Sequence, residues 1–117
     1  MIKTWERLSA LPGGKSIFSL LLGWMAPYSG SIGSRVERLS AGSVQVSLRD
    51  RRKVRNHLKS VHAIALVNLG EIASGLALLS GLPDNMRGIV LGIQAEYIKK
   101  ARGLLSATAN FVLPQSV

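Results

Sequence analysis

The stretch HAIALVNLGEIASGLALLSGL, residues 62–82, decides the fold. It is long and apolar enough to span a bilayer, but Glu71 lies at its centre, where a carboxylate costs about 2.5–3.5 kcal/mol. A helix buried on most sides inside a globular fold explains the same composition without that cost. We therefore predict a core helix from about His62 to Leu79, ended by Gly81 and Pro83, and no membrane span.

Polar side chains recur every three residues along this helix, at Asn68, Glu71 and Ser74, so they share one side. Glu71 is the only charged residue between His62 and Leu82. An unpaired buried carboxylate is expensive, so Glu71 must be protonated, be paired or face a cleft. From the residues alone, a structural glutamate that accepts a hydrogen bond from the backbone or a loop stays as open as a functional one.

Two-residue alternation predicts strands on both sides of the helix. The clearest is 43–49, where Val44, Val46 and Leu48 alternate with polar residues; Ile32–Leu39 is weaker, and Ala41-Gly42 would join the two as a hairpin. After the helix, Ile89–Tyr97 and Leu105–Leu113 alternate in the same way, separated by a turn at 99–103. The predicted order is therefore helices, two strands, one long helix and two strands.

The first thirty residues predict a helix over 1–10 and a second over 15–26 that Pro27 ends, followed by a loop over 28–30. The apolar run Ile17–Met25 is too short for a signal peptide, and Pro12-Gly13-Gly14 interrupts the approach to it, which favours an amphipathic helix. We divide the chain into a helical lead-in, 1–30, and one domain, 31–117. Four strands cannot cover the long helix, so we expect either a truncated C-terminus or a partner subunit.

Composition narrows the function classes. The 117 residues are 47% apolar, which fits one globular domain, and the chain has no cysteine for disulfides, thiolate zinc sites or a cysteine nucleophile. We expect no metal, no cofactor and a cytoplasmic location.

The net charge of +9 attracts polyanions. Nucleic acid is disfavoured, because the basic stretch carries no aromatic side chain for stacking and no helix has a cationic face.

Two cationic clusters stand out. The basic loop, residues 49–59, holds Arg49, Arg51, Arg52, Lys53, Arg55 and Lys59, and the turn cluster holds Lys99, Lys100 and Arg102. No hydrophobic period crosses the basic loop, which predicts an exposed connection. A solvated charge run and a phosphate-binding surface both fit these residues.

The run NHLKSVHA, residues 56–63, together with Glu71, resembles the signature of single-hotdog thioesterases of the PaaI-like type. In that family an asparagine precedes a His-Gly-Gly helix start by six residues, and an acidic residue follows the histidine by nine; Asn56, His62 and Glu71 match both spacings. The layout also resembles the DUF4442 group. The resemblance implies an α+β hotdog fold, in which an antiparallel sheet wraps a long central helix behind an N-terminal helix pair.

The resemblance also implies hydrolysis of an acyl-CoA thioester. Asn56 and the backbone N–H of Ala63 would polarise the carbonyl, Glu71 of the other subunit would activate water or attack, and His62 would shape the helix start. The cations that would hold the CoA phosphates are Arg51, Arg52, Lys53, Arg55, Lys59, Lys99, Lys100 and Arg102. A homodimer or homotetramer with sheets joined edge to edge is expected.

The sequence departs from the family at several positions. Ala63 and Ile64 replace its two glycines, Lys59 replaces a glycine of the loop, and Ile89 and Val90 lack the hydroxyl that some relatives carry. These departures leave a second hypothesis open, a catalytically weak hotdog module that binds acyl-CoA or a related lipid carrier.

Overall fold

The computed structural model describes residues 1–115. Its elements, in chain order, are α1 Ile2–Ser9, α2 Gly14–Met25, α3 Pro27–Gly30, β1 Arg35–Ser40, β2 Ser43–Arg49, α4 Ala63–Gly81 and β3 Leu104–Asn110, with a 3₁₀ turn at Arg52–Val54.

The predicted hairpin is confirmed. β1 and β2 are antiparallel with Val36 opposite Val46, and the turn between them places Gly42 at φ 77°, where a side chain would be strained. β3 adds antiparallel to β2, so the three-stranded sheet has the order β1-β2-β3. The alternation in β2 predicts its burial correctly, since Val44, Val46 and Leu48 are fully buried.

The long helix is also confirmed, and it packs across β2 and β3. One side of it, with Leu69, Ala73 and Leu76, is buried against the inward face of the sheet. In the part of the chain that the structure describes, α4 is the one helix long and apolar enough to cross a membrane by length and composition, and 33% of that stretch is buried in the fold. The apolar composition of α4 is explained by its packing against the sheet, as in a core helix.

The N-terminal helices pack beside β1 as a pair. The rings of Trp5 in α1 and Phe18 in α2 meet edge to face with centroids 5.1 Å apart. Ser19 Oγ accepts a hydrogen bond of 2.9 Å from the Val36 N–H, so α2 covers part of the outer edge of β1. The predicted loop after Pro27 is wrong in detail. A proline is pre-organised for the first helical position, and 27–30 form one helical turn.

The predicted strand Ile89–Tyr97 is wrong. Residues 88–98, which we call the exposed segment, form no ladder with any strand in residues 1–115, and Ile89, Leu91 and Ile98 are 86%, 98% and 91% exposed. Alternation reports a preference for a pleated conformation, but a strand also needs a neighbour that accepts its backbone hydrogen bonds. Within residues 1–115 the sheet therefore has three strands, and the side of α4 away from it stays largely uncovered. The last predicted strand is present but ends at Asn110, short of Leu113.

Candidate active site

The start of α4 is capped by a side chain. His62 Nδ1 accepts a 3.0 Å hydrogen bond from the Ile64 N–H, while the exposed His62 holds the extended backbone of an N-cap residue. The N–H of Ala63 takes part in none of the hydrogen bonds described for residues 1–115. The helix start thus presents a free donor, at the end where the helix dipole favours negative charge.

Asn56 organises the turn that leads to this helix. Its Oδ1 accepts hydrogen bonds from the N–H groups of Leu58 (2.9 Å) and Ser60 (3.2 Å), and its own N–H donates to the Ser60 carbonyl at 2.8 Å. These bonds fix the amide so that Oδ1 faces the turn. Among the described residues Nδ2 has no acceptor, and it is available to an incoming oxygen.

Lys59 lies in this turn at φ 57°, in the left-handed region. It is the single non-glycine residue with positive φ within residues 1–115. The loop therefore takes a backbone path that a glycine would favour, although a lysine stands there, at a cost of about 1–2 kcal/mol.

Glu71 faces a cleft. The half-buried side chain lines an opening of about 490 Å³ between α4 and the exposed segment, together with Leu66, Val67, Gly70 and Ser74 of the helix. In residues 1–115 its carboxylate has no ion-pair partner, and no described donor hydrogen-bonds to it. Of the alternatives that the sequence leaves open for Glu71, the structure supports a carboxylate facing a cleft over one held by a structural hydrogen bond.

The opposite wall of this cleft contributes residues that sequence reasoning missed. These are Gln94, Glu96 and Tyr97, which line it beside the predicted Lys99, and the Tyr97 hydroxyl donates a 3.1 Å hydrogen bond to the Ala63 carbonyl. This bond ties the exposed segment to the helix start. The polar residues at positions 94 and 96 could have indicated this wall of the cleft. The predicted strand instead placed them on the solvent-facing side of a sheet.

The predicted oxyanion donors and the carboxylate do not meet within one chain. Ala63 and Glu71 are eight residues apart on α4, which corresponds to about 12 Å along the helix axis. Asn56 lies in the turn before α4 and Ala63 is the first residue of the helix, whereas Glu71 lies near the middle of the helix. Within one chain, the candidate donors and the candidate carboxylate therefore stand at separate places on α4.

The two cationic clusters lie side by side next to the helix start. The Val61 N–H donates to the Ala101 carbonyl at 2.9 Å, and the Ala101 N–H donates to Ser60 Oγ at 3.2 Å. These bonds bring the turn cluster, Lys99, Lys100 and Arg102, against the basic loop. The loop itself is anchored, because Val54 in its 3₁₀ turn is buried and Arg51 donates to the Gly33 carbonyl at 3.0 Å.

An acidic residue within the basic loop holds this arrangement together. Asp50 accepts a 2.6 Å hydrogen bond from Arg55 Nε through one oxygen and a 3.0 Å bond from the Gly103 N–H through the other. The Arg55 bond, then the Gly103 bond, lower the pKa of Asp50 below its ordinary value. The carboxylate thus stays ionised at neutral pH, and its contribution to stability is lost only in acid, as the pH falls through its lowered pKa. Arg55 is engaged in this tie and Arg51 in its bond to Gly33, which leaves Arg49, Arg52, Lys53, Lys59 and the turn cluster as the cations of the two clusters without a described partner in residues 1–115.

Sequence comparison agrees with this architecture. Residues 14–116 match the family described as domain of unknown function DUF4442. The chain belongs to the DUF4442 family. No curated protein matches it.

Solved structures share the fold. The crystal structure of the structural-genomics protein APC5556 is 36% identical, with TM-score 0.79 over 92% of this chain and 71% of its own. PA5026 of Pseudomonas aeruginosa, a probable thioesterase, is 24% identical, with TM-score 0.73 over 86% of this chain and 66% of its own. A point mutant of SAV0944, a thioesterase of Staphylococcus aureus, is 22% identical, with TM-score 0.67 over 75% of this chain and 74% of its own. This DUF4442 chain has the hotdog fold.

Lys59→Gly should stabilise the protein by about 0.5–1 kcal/mol. Glycine removes the left-handed cost of about 1–2 kcal/mol, but it adds about 0.5–1 kcal/mol of chain entropy to the unfolded state. Urea unfolding of the parent, Lys59→Gly and Lys59→Ala measures the effect. The alanine variant removes the same charge and keeps the strained backbone, so equal stabilisation by both substitutions would assign the effect to charge and contradict the backbone argument.

Proposed function

We propose that this protein hydrolyses an acyl-CoA thioester to a free acid and CoA. One observation carries the proposal: Glu71, a half-buried carboxylate without a partner among residues 1–115, faces a cleft from the central helix of a hotdog fold. Two proteins of the same fold, PA5026 and SAV0944, bear the names probable thioesterase and thioesterase. At 24% and 22% identity they support the fold, and the chemistry is argued from this chain's own residues.

In the proposed reaction Glu71 acts as a general base. Its carboxylate takes a proton from water as the water oxygen bonds to the thioester carbon, and the carbonyl oxygen becomes an oxyanion. Asn56 Nδ2–H and the Ala63 N–H, both free of other acceptors among residues 1–115, donate to that oxyanion. The carbon–sulfur bond then breaks, and the CoA sulfur takes the proton from Glu71. The products are one carboxylic acid and one thiol.

The site would form between two subunits. The separation of about 12 Å between Ala63 and Glu71 is too large for both to reach one carbonyl in a single chain. The uncovered side of α4 and the exposed segment support a homodimer, or a dimer of dimers, in which the sheets join edge to edge. A two-fold arrangement would place each Glu71 opposite the partner's helix start and so build two equal sites.

The basic surface beside the helix start would bind the phosphates of CoA. It is formed by Arg52, Lys53, Lys59 and the turn cluster, which backbone hydrogen bonds hold next to the proposed oxyanion donors. Arg51 and Arg55 contribute less in this proposal, because the Gly33 carbonyl and Asp50 already engage them.

A second candidate function is acyl-CoA binding without efficient turnover. The observation that favours it is the side chain of Ile64, which is 58% exposed at the helix start and occupies space that a glycine would leave to the carbonyl. Turnover and binding measured on the same variants separate the two functions.

The dimer is tested by light scattering at micromolar concentration, where the parent should have twice the mass of the chain or four times that mass. Leu91→Lys should give a monomer without thioesterase activity, because Leu91 is 98% exposed on the segment that would join the subunits. Leu11→Lys, at a 59% exposed position between α1 and α2, should stay dimeric. A monomeric parent that is fully active would contradict the shared site.

Charge reversal tests the phosphate surface. Arg52→Glu with Lys53→Glu, and separately Lys99→Glu with Lys100→Glu, should each raise KM for acyl-CoA roughly five- to thirtyfold, the factor for a loss of about 1–2 kcal/mol, and leave kcat nearly unchanged. Added salt should also raise the parent's KM, because exposed phosphate contacts are screened. The control pair Lys3→Glu with Arg7→Glu makes the same charge change on α1. If the control pair raises KM as much as the test pairs, the effect comes from the net charge of the protein and not from phosphate binding at the basic surface.

Glu71→Gln tests the base. The substitution keeps the side-chain volume and removes the proton acceptor, so kcat should fall by at least ~10². Thermal stability should persist, because a neutral amide is cheaper to bury than a carboxylate. Glu96→Gln, on the opposite wall of the cleft, and Glu6→Gln, on α1, are the comparisons. If a folded, dimeric Glu71→Gln protein keeps the turnover of the parent, Glu71 is not the general base. If only Glu96→Gln loses turnover, Glu96 is the general base instead. Loss of turnover without loss of acyl-CoA binding is the outcome that a hydrolase requires.

A further inference from the structure

A second opening lies on the other side of Glu71. This groove, of about 990 Å³, runs between α2 and α4. Its two helical walls are apolar, formed by Leu20, Trp24 and Met25 of α2 and by Ile72, Leu76 and Leu79 of α4, and the charged side chains of Arg35, Glu37, Arg49 and Arg51 line its edge next to the sheet. Within residues 1–115, Glu71 is the one residue that lines both the groove and the cleft.

The groove is held open by glycines. A Cβ built on Gly75 would meet nothing closer than Glu71 Oε1 at 3.9 Å, so the helix surface next to the carboxylate is left free. On the other wall, a Cβ on Gly30 would lie 2.5 Å from the Gly23 Cα, which shows that α3 packs directly on the backbone of α2. This contact sets the position of the α2 wall without filling the groove.

We propose that the groove binds the acyl chain of the thioester, and that this chain is a straight aliphatic one of medium length, such as decanoyl. The inference rests on the proposed function, because it places the thioester carbonyl at Glu71, where the cleft and the groove meet. The CoA portion would then leave through the cleft toward the partner's helix start, and the chain would run along α4 in the opposite direction.

The dimensions and the chemistry of the groove favour such a chain. From Glu71 to Leu79 the helix rises by about 12 Å, which suits an extended chain of medium length. Its volume is at the upper end of the range of about 300–1,000 Å³ found for small-molecule sites, so a short or a single-ring acyl group would leave most of it empty. Leu20 and Trp24, which are 74% and 81% exposed, would lose contact with water under the chain. Each methylene transferred from water to such a surface is worth about a fourfold gain in binding, corresponding to ~0.8 kcal/mol.

Two glycines of α4 provide matched variants. Gly75→Leu fills the groove, whereas Gly70→Leu fills the cleft, and a Cβ on Gly70 meets no atom within 4 Å. The ratio of kcat/KM for decanoyl-CoA to that for butyryl-CoA should fall at least tenfold in Gly75→Leu. It should stay within about threefold of the parent ratio in Gly70→Leu, even if both rates drop. A change of this ratio in Gly70→Leu and not in Gly75→Leu would place the chain in the cleft and overturn the proposal.

A binding assay keeps the inference separate from hydrolysis. Decanoate that carries bromine on its last carbon should quench the fluorescence of Trp24 in a Trp5→Phe background, because Trp24 lines the groove and Trp5 is buried elsewhere in the core. Gly75→Leu should weaken this quenching at least tenfold. Leu20→Gln, at a 74% exposed position, should weaken it about fourfold.

The outcomes separate the two proposals. If bromodecanoate quenches Trp24, Gly75→Leu abolishes the quenching and no acyl-CoA is hydrolysed, then the acyl groove stands and the proposed hydrolase activity is wrong. Hydrolysis without quenching, or quenching that no groove variant changes, would overturn the groove. A Trp24 that is already shielded in the ligand-free parent would show that a second copy of the chain covers the groove, which also overturns it.

Discussion

The packing of α4 on one face of the β2–β3 ladder is the constraint on which the rest of the structure depends. Val44, Val46 and Leu48 point inward from β2, and Leu69, Ala73 and Leu76 meet them from the helix. Burial on the sheet side leaves the remaining helix surface to be covered by other means. Beyond the sheet, α3 contacts the helix, and the groove and the cleft are the spaces that stay open. Glu71 lies on the helix surface between these two spaces and lines both of them.

A second set of contacts fixes the start of the helix. Ser60 and Val61 bond to Ala101, and Asp50 bonds to Gly103, so three chain segments that are distant in sequence converge at one point. The cations of two of these segments collect around a helix end that already favours negative charge. Electrostatics and backbone geometry therefore support anion binding at the same place. The strained Lys59 and the turn held by Asn56 belong to this region, where backbone strain concentrates more often than in the core.

Much of the fold could be predicted from sequence because its patterns have local physical causes. The period of β2, the glycine of its turn and the apolar run of α4 each determine a conformation with few alternatives. The strand predicted at 89–97 is absent for the opposite reason. Alternation of apolar and polar residues is a local property, whereas a strand also needs hydrogen bonds to a neighbouring strand, which the local sequence does not determine. The site shows the same division. The resemblance in spacing selected Asn56, His62 and Glu71 as candidates. The hydrogen bond from Tyr97 to Ala63, the ties made by Asp50 and the convergence of the cationic clusters arise from tertiary contacts that no local pattern encodes.

The hydroxyl of Tyr97 connects two regions of the chain. It belongs to the exposed segment, and its acceptor is the carbonyl of Ala63, whose N–H is the free donor at the helix start. Because of this hydrogen bond, a contact that orders the exposed segment also restrains the Ala63 peptide, and a contact that restrains the Ala63 peptide also orders the segment. Thermodynamic linkage makes such coupling equal in both directions. In the proposed dimer, occupancy at the helix start and association through the segment would therefore strengthen or weaken each other by the same factor, and affinity for a ligand would then depend on protein concentration.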